Sequence, residues 1–135
     1  MIVDTSAVVA VLREEPDAER HLQALVDAPV VRISAATLVE LSVVVDGQRD
    51  PVLSRRLDEV LSAVGAIVEP FTAEHAAAAR QAYRDFGKGS GHRAGLDLGD
   101  CFAYALADVS GESLLYKGAD FSETDLRSAL ADGPP

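Results

Sequence analysis

Short apolar runs alternate along this chain with longer segments of helical spacing, and that alternation predicts most of its elements. Ile2-Val3 ends at Asp4-Thr5-Ser6, after which Ala7, Val8, Val9, Ala10, Val11 and Leu12 run on to Arg13. Strand, helix cap and helix follow from this order, because Asp, Ser and Thr side chains accept from the amides that a helix start leaves unpaired. Glu15-Pro16-Asp17 breaks that helix and begins another, in which His21, Leu22, Leu25 and Val26 recur at helical spacing before Ala28-Pro29. Residues 30–33 predict a second strand, Ser34 a cap, and residues 35–45 a long apolar helix. Asp50-Pro51 opens a further helix through Leu53, Leu57, Val60 and Leu61 to Gly65, and Ala66-Ile67-Val68 reads as a third strand closed by Pro70.

Thr72 caps an Ala-rich helix that runs to about Phe86. Gly87, Gly89, Gly91 and Gly95 crowd the next stretch and predict a mobile loop rather than a regular element. A helix from Gly99 or Asp100 to Val109 and a fourth strand from Ser113 to Tyr116 follow, residues 121–130 have room for one more short strand, and residues 133–135 form a frayed tail. Parallel strands need a crossover between them, so strands separated by helices predict a parallel sheet covered on both faces. The expected fold is a three-layer α/β/α domain with a central parallel sheet of four to five strands, one domain over residues 1–135.

Composition narrows the function classes. With no long apolar run and no basic leader in the sequence, neither a membrane span nor a secretion signal is expected, and the cytoplasm is the expected compartment. Cys101 is the only cysteine, which excludes an intrachain disulfide and a cysteine-rich zinc site. A net charge of −10 argues against binding long nucleic acid through a broad basic face. It suits solubility, a site that collects divalent cations, or a partner with a basic tail.

In a parallel sheet, ligands sit beyond the carboxyl ends of the strands, where strand order reverses. Asp4 ends the first strand, Asp120 follows the fourth, and Asp100 starts the helix that leads into the fourth, so all three fall on one rim. Each also has a plain structural role open to it: a helix cap for Asp4 and Asp100, a turn beside Gly118 for Asp120. Glu40 differs, because Ala36, Leu38, Val39, Leu41, Val43, Val44 and Val45 make its helix apolar nearly all round and point it to the interior or a cleft. No Arg or Lys lies between Ile33 and Gln48 to pair with it. Metal ligation is the economical account of such crowded carboxylates, and hard oxygen ligands suit Mg²⁺ or Mn²⁺. Ions so held activate water for phosphodiester hydrolysis.

Four segments carry a resemblance. MIVDTSAVVAVL at residues 1–12, the isolated Glu40, LGDCFAYALA at residues 98–107 and LLYKGADF at residues 114–121 resemble, in order and interval, the motifs of PIN-domain VapC toxins. These are the ribonucleases of type II VapBC toxin–antitoxin systems, and the resemblance covers the whole chain. It implies a metal-dependent endoribonuclease with Asp4, Glu40, Asp100 and Asp120 as the acidic metal site, a hydroxyl from Thr5 or Ser6 beside it, and RNA as substrate. It further implies a VapB-type antitoxin whose basic tail blocks the cleft, and a homodimer. The chain departs from the pattern at Lys117-Gly118-Ala119, where many relatives carry Thr or Ser followed by Asn or Asp. Lys117 either replaces that polar support or contacts phosphate. Asp97 competes with Asp100 as third ligand, and Asp100 is preferred from its spacing to Ala103 and Ala105. Asp125 reads as a solvated surface position.

Around the glycine-rich loop Arg80, Arg84, Lys88 and Arg93 outnumber Asp85, and Lys88, His92 and Arg93 are candidates for holding RNA. Two other readings compete with a nuclease: a catalytically inactive interaction domain of the same fold, and a receiver-type Mg²⁺-binding signalling module. The second wants an acidic pair after the first strand and an Asp ending the third, where this chain has Asp4-Thr5 and Glu69-Pro70.

Overall fold

A computed structural model describes residues 1–130, so the tail expected at 133–135 lies outside the described residues. The order is β1 (Ile2–Val3), α1 (Thr5–Leu12), α2 (Ala18–Asp27), β2 (Arg32–Ser34), α3 (Ala35–Asp46), α4 (Pro51–Ala63), β3 (Ile67–Glu69), α5 (Ala73–Phe86), α6 (Leu98–Ser110) and β4 (Leu114–Leu115). The four strands form one parallel sheet in the order β3-β2-β1-β4. The expected fifth strand contracts to a 3-10 helix, Phe121–Glu123, and a single parallel bridge between Leu114 and Ser128. Thr124-Asp125 turns the chain there, so only one residue pair reaches ladder register.

Successive side chains of a strand face opposite ways, and this chain uses both faces. Ile2 and Leu114 pack with Ala79, Ala82, Leu96, Cys101 and Leu106 under α5 and α6, whereas Val3, Ile33 and Leu115 pack with Leu12, Leu25, Leu41 and Leu57 under α1 to α4. The edge strand β3 departs from full coverage, leaving Ile67 and Val68 exposed. Helix starts are fixed as the caps predict: Asp4 accepts from the Ser6 amide, Ser34 from Ala36, Asp50 from Val52 and Leu53, and Thr72 from His75. The start of α6 differs from expectation. Asp97 is its N-cap and the helix begins at Leu98, with Asp100 at the third position of a reciprocal capping box. Gly111, at φ 72°, ends the helix in the left-handed conformation that a side chain would resist.

The glycine-rich segment is tied down rather than open. The Lys88 amide donates to the Leu96 carbonyl (2.8 Å), the Leu96 amide donates to the Phe86 carbonyl (2.9 Å), and Ala94 and Leu96 are buried. Ala94 and Leu96, between and after the glycines, anchor the return of the expected loop to the core.

Because β1 lies between β2 and β4, the connection from β1 leads one way and the chain returns through β4 on the other side. That reversal opens a crevice at the carboxyl ends of β1 and β4.

Candidate active site

Asp4 stands at this switch point, and the sheet buries it to 2 % exposure. Its Oδ2 accepts from the Ser6 amide (3.0 Å) and the Ser6 hydroxyl (2.6 Å), while Oδ1 is buried without a partner. Burial is the largest influence on its carboxyl, opposed by the Ser6 bonds and reinforced by the charge of Glu40, and it pushes the pKa up to about 6. Asp4 thus caps α1 through Oδ2 and keeps Oδ1 buried and unpaired.

Glu40 is half-buried on α3, and its Oε1 accepts from the Thr5 hydroxyl (2.6 Å). Its carboxylate lies over Gly99 in the first turn of α6, so closely that a Cβ at Gly99 would collide with it. The apolar surroundings that pointed Glu40 inward are only partly buried, since Val39 and Val43 are exposed. Glu40 faces a cleft, and the valines beside it form a separate outward face. Sequence reasoning overlooks Gly99, for which the signal is a helix-weakening glycine in the first turn of an otherwise well-formed helix.

Asp100 accepts from the Asp97 amide (3.0 Å) and its own amide donates to Asp97 (2.9 Å). Burial, followed by the charges of Asp4, Asp97 and Asp120 against the relief given by the Asp97 amide, pushes the Asp100 pKa up to about 7. Asp97 therefore supports Asp100 from the exposed side of the cap. Asp120 is exposed at the entry of the 3-10 helix. Asp100 feels the charges of Asp4 and Asp120, and Asp4 feels that of Glu40, so the four acids expected from sequence neighbour one another near the carboxyl ends of β1 and β4.

Lys117 goes elsewhere. Its Nζ pairs with Glu15 and with Asp17 (3.1 Å) at the elbow between α1 and α2, so its charge is not turned onto the crevice. What it gives the site is its backbone: the Lys117 amide donates to Ser6 Oγ (2.9 Å). Asp125 accepts from the Tyr104 hydroxyl (2.7 Å) and so braces the segment after Asp120. Of the loop candidates, Lys88 and Arg93 are exposed, and Arg93 Nε lies 2.5 Å from Glu123. His92 is half-buried, its Nδ1 accepting from the Ala94 amide (3.0 Å) and its ring meeting Phe86 edge-on. His92 shapes the loop. Cys101 is buried and its thiol is pushed up to about 12, which removes it as a thiolate nucleophile.

The donor chemistry fits a hard divalent cation: carboxylate oxygens, an orphaned buried oxygen on Asp4, and a glycine cradle that draws Glu40 against α6. Among the described residues no three His, Cys, Asp or Glu side chains stand in an arrangement that could hold an ion as they are. Asp4, Glu40 and Asp100 are turned instead onto Ser6, Thr5 and the Asp97 amide.

A parallel α/β/α sheet with acids collected at the β1–β4 crevice defines a class, and comparison with known proteins agrees. The PIN domain model matches residues 1–126. The chain is 54% identical to VapC ribonuclease Mb0625 of Mycobacterium bovis and to ribonuclease VapC28 of Mycobacterium tuberculosis, over 96% of this chain and 98% of each relative. It is 48% identical to ribonuclease VapC42 of Mycobacterium tuberculosis over 96% of its own length and 98% of the relative's. Among solved structures, the sarcin-ricin loop cleaving toxin VapC20 of Mycobacterium tuberculosis has a TM-score of 0.69 at 19% identity, covering 93% of this chain and 95% of that one. FitAcB of Neisseria gonorrhoeae has a TM-score of 0.67 at 23% identity, covering 94% of each chain. The chain belongs to the PIN-domain family, among its VapC ribonucleases. A receiver-type module is thereby set aside. No helix among the described residues is long and apolar enough to cross a membrane.

Proposed function

We propose that this chain is the toxin of a type II toxin–antitoxin pair, an endoribonuclease that hydrolyses RNA phosphodiester bonds at the Asp4–Glu40–Asp100–Asp120 rim in the cytoplasm. The observation that carries this reading is the match of the PIN domain over residues 1–126 together with its acids at one sheet edge, where Asp4 Oδ1 is buried without a partner and Asp100 feels the charge of Asp4 and Asp120. Carboxylates held together at such cost call for a compensating cation, and divalent-metal dependence is general in PIN domains. When bound, Mg²⁺ or Mn²⁺ supplies that compensation and makes water more acidic. Asp4, Glu40, Asp100 and Asp120 would hold it, Ser6 orients Asp4, Thr5 steadies Glu40, and Asp97 fixes Asp100.

Lys88 and Arg93 offer exposed cations to the RNA backbone, with Arg93 exchanging Glu123 for phosphate. The antitoxin partner is supported by a structural neighbour described as a toxin–antitoxin complex from Klebsiella pneumoniae and by the net charge of −10, which suits a basic tail. A homodimer is supported by exposed Val39, Val43, Tyr83 and Leu98, together with a groove of about 540 Å³ between α5 and α6 that includes Phe71 and Phe102.

The test is cleavage of short RNAs by purified protein with Mg²⁺, Mn²⁺ or chelator, alongside Asp4→Asn and Glu40→Gln. Metal-dependent cleavage abolished by either substitution is expected. Cleavage that survives chelator or both substitutions overturns the site, and inactivity of the unaltered protein under all conditions favours an inactive interaction domain.

A further inference from the structure

Lys117 joins two regions that the sheet does not connect. Its Nζ spans Glu15 and Asp17 at the α1–α2 elbow, while its amide donates to Ser6 Oγ, which donates in turn to Asp4 Oδ2. The same residue opens the segment that carries Asp120 three positions on, through Gly118 at φ 96°. Tyr116 and Phe121 pack on the core at either end, and between them residues 117–120 lie in no strand or helix, so the ties of Lys117 bear on their position.

We infer that Lys117 is a positioning residue of the nuclease site: its ion pairs with Glu15 and Asp17 clamp the β4-to-3-10 connection, hold the amide that aims Ser6 at Asp4, and set the approach of Asp120. The inference rests on the nuclease reading. A hydroxyl has a single proton to give and oxygen lone pairs that accept, so the Lys117 amide donating to Ser6 Oγ takes an acceptor position and leaves the Ser6 proton for Asp4. If the connection drifts, Ser6 is released to rotate and Asp4 loses its aim, while Asp120 moves with the loop. Displacement of acids near reacting atoms slows chemistry without weakening distant contacts to substrate. Through the backbone, the chain thus supports its fourth acid from behind.

Three variants test this: Lys117→Met, Lys117→Arg, and the double variant Glu15→Gln/Asp17→Asn, which leaves Lys117 itself in place. In RNA cleavage with Mn²⁺, Lys117→Met and the double variant are expected to lose kcat about tenfold or more with KM changed less than about twofold. Lys117→Arg should restore most of kcat. Combining Lys117→Met with the double variant should cost no more than Lys117→Met alone. Amide hydrogen exchange, read without metal or RNA, should show the Lys117 amide losing protection in the double variant. A rise in KM for Lys117→Met with the double variant unchanged would mean that Lys117 meets phosphate, and overturns the clamp. Undiminished protection of the Lys117 amide in the double variant overturns it as well. If the unaltered protein cleaves no RNA, the nuclease reading fails, and with it the catalytic consequence, while the exchange result still decides whether the clamp exists.

Discussion

Asp4 and Asp120 stand on the same rim with the same side chain, yet they are held by opposite means. Asp4 follows directly on β1, is buried, and is fixed by the first turn of α1 through two bonds from Ser6. Asp120 is exposed on irregular chain, with Lys117 tied down on one side and Asp125 braced by Tyr104 on the other. The contrast shows a division of labour: regular elements carry the desolvated acid, where displacement is costly, and a loop carries the acid that lies open to solvent. A buried anchor is rigid but strained in charge. A loop acid is relaxed in charge but depends on remote ties.

The largest expected effect separates the two directly. Asp4→Asn should reduce RNA cleavage by roughly 10³-fold or more, since its desolvated charge cannot be replaced by water. Asp120→Asn should cost less, on the order of tenfold to hundredfold, because solvent and the neighbouring acids partly fill its place. Single-turnover rates at saturating Mn²⁺ measure both. Equal losses would show that burial does not set the rank.

Charge strain makes the second prediction. Asp4 has a folded pKa of about 6 against an ordinary 3.8, and Asp100 reaches about 7. A carboxyl whose folded pKa is raised contributes stability that is complete below pH 4 and is lost as pH rises through the folded value. Metal-free protein should therefore lose stability between about pH 4 and pH 7, and the two-unit shift of Asp4 corresponds to a loss of about 3 kcal/mol. Asp4→Asn should flatten part of that slope and raise the metal-free Tm at pH 7.5. Mg²⁺ or Mn²⁺ should raise the Tm of the unaltered protein at that pH and do so less for the variant. A Tm that climbs steadily from pH 4 to pH 7 without metal contradicts the charge strain.

Third comes the cradle. Gly99→Ala puts a methyl group where the Glu40 carboxylate lies, and the flexible Glu40 side chain must give way rather than the helix. Alanine suits a helix, so Tm should change by less than about 1 kcal/mol equivalent, while kcat falls about tenfold to hundredfold. Calorimetric unfolding and initial rates measured together check the split. A large loss of stability with intact kcat would show that Gly99 serves packing alone.

How much of this was legible in sequence follows the same division. Asp4, Glu40 and Asp100 could be placed on one rim because strand ends and helix starts fix them locally, and caps such as Ser34, Asp50 and Thr72 announce those starts. The boundary of α6 was set too late, because Asp97 and Asp100 are both capping types and only the reciprocal bonds tell N-cap from third position. The destination of Lys117 was not legible: Glu15 and Asp17 lie about a hundred residues earlier, and no local pattern records that pairing. The anchorage of the glycine-rich loop was illegible for a related reason, since glycine counts report freedom while Ala94 and Leu96 report anchorage.

The smallest effect sharpens the loop side of the comparison. The Tyr104 hydroxyl donates to Asp125, and burial together with that carboxylate raises the phenol pKa, so the proton stays on Tyr104 at any ordinary pH. Tyr104→Phe removes the donor but keeps the ring against Phe86. One hydrogen bond to a charged acceptor contributes about 1.5–3 kcal/mol at most, and less where the acceptor is exposed, as Asp125 is. A loss near 1 kcal/mol is therefore expected, with faster amide exchange confined to residues 121–128 and kcat within about threefold of the unaltered protein. Exchange that spreads instead to Asp4 and Ser6 would mean that loop and anchor move as one unit, and the separation drawn between the two acids would fail.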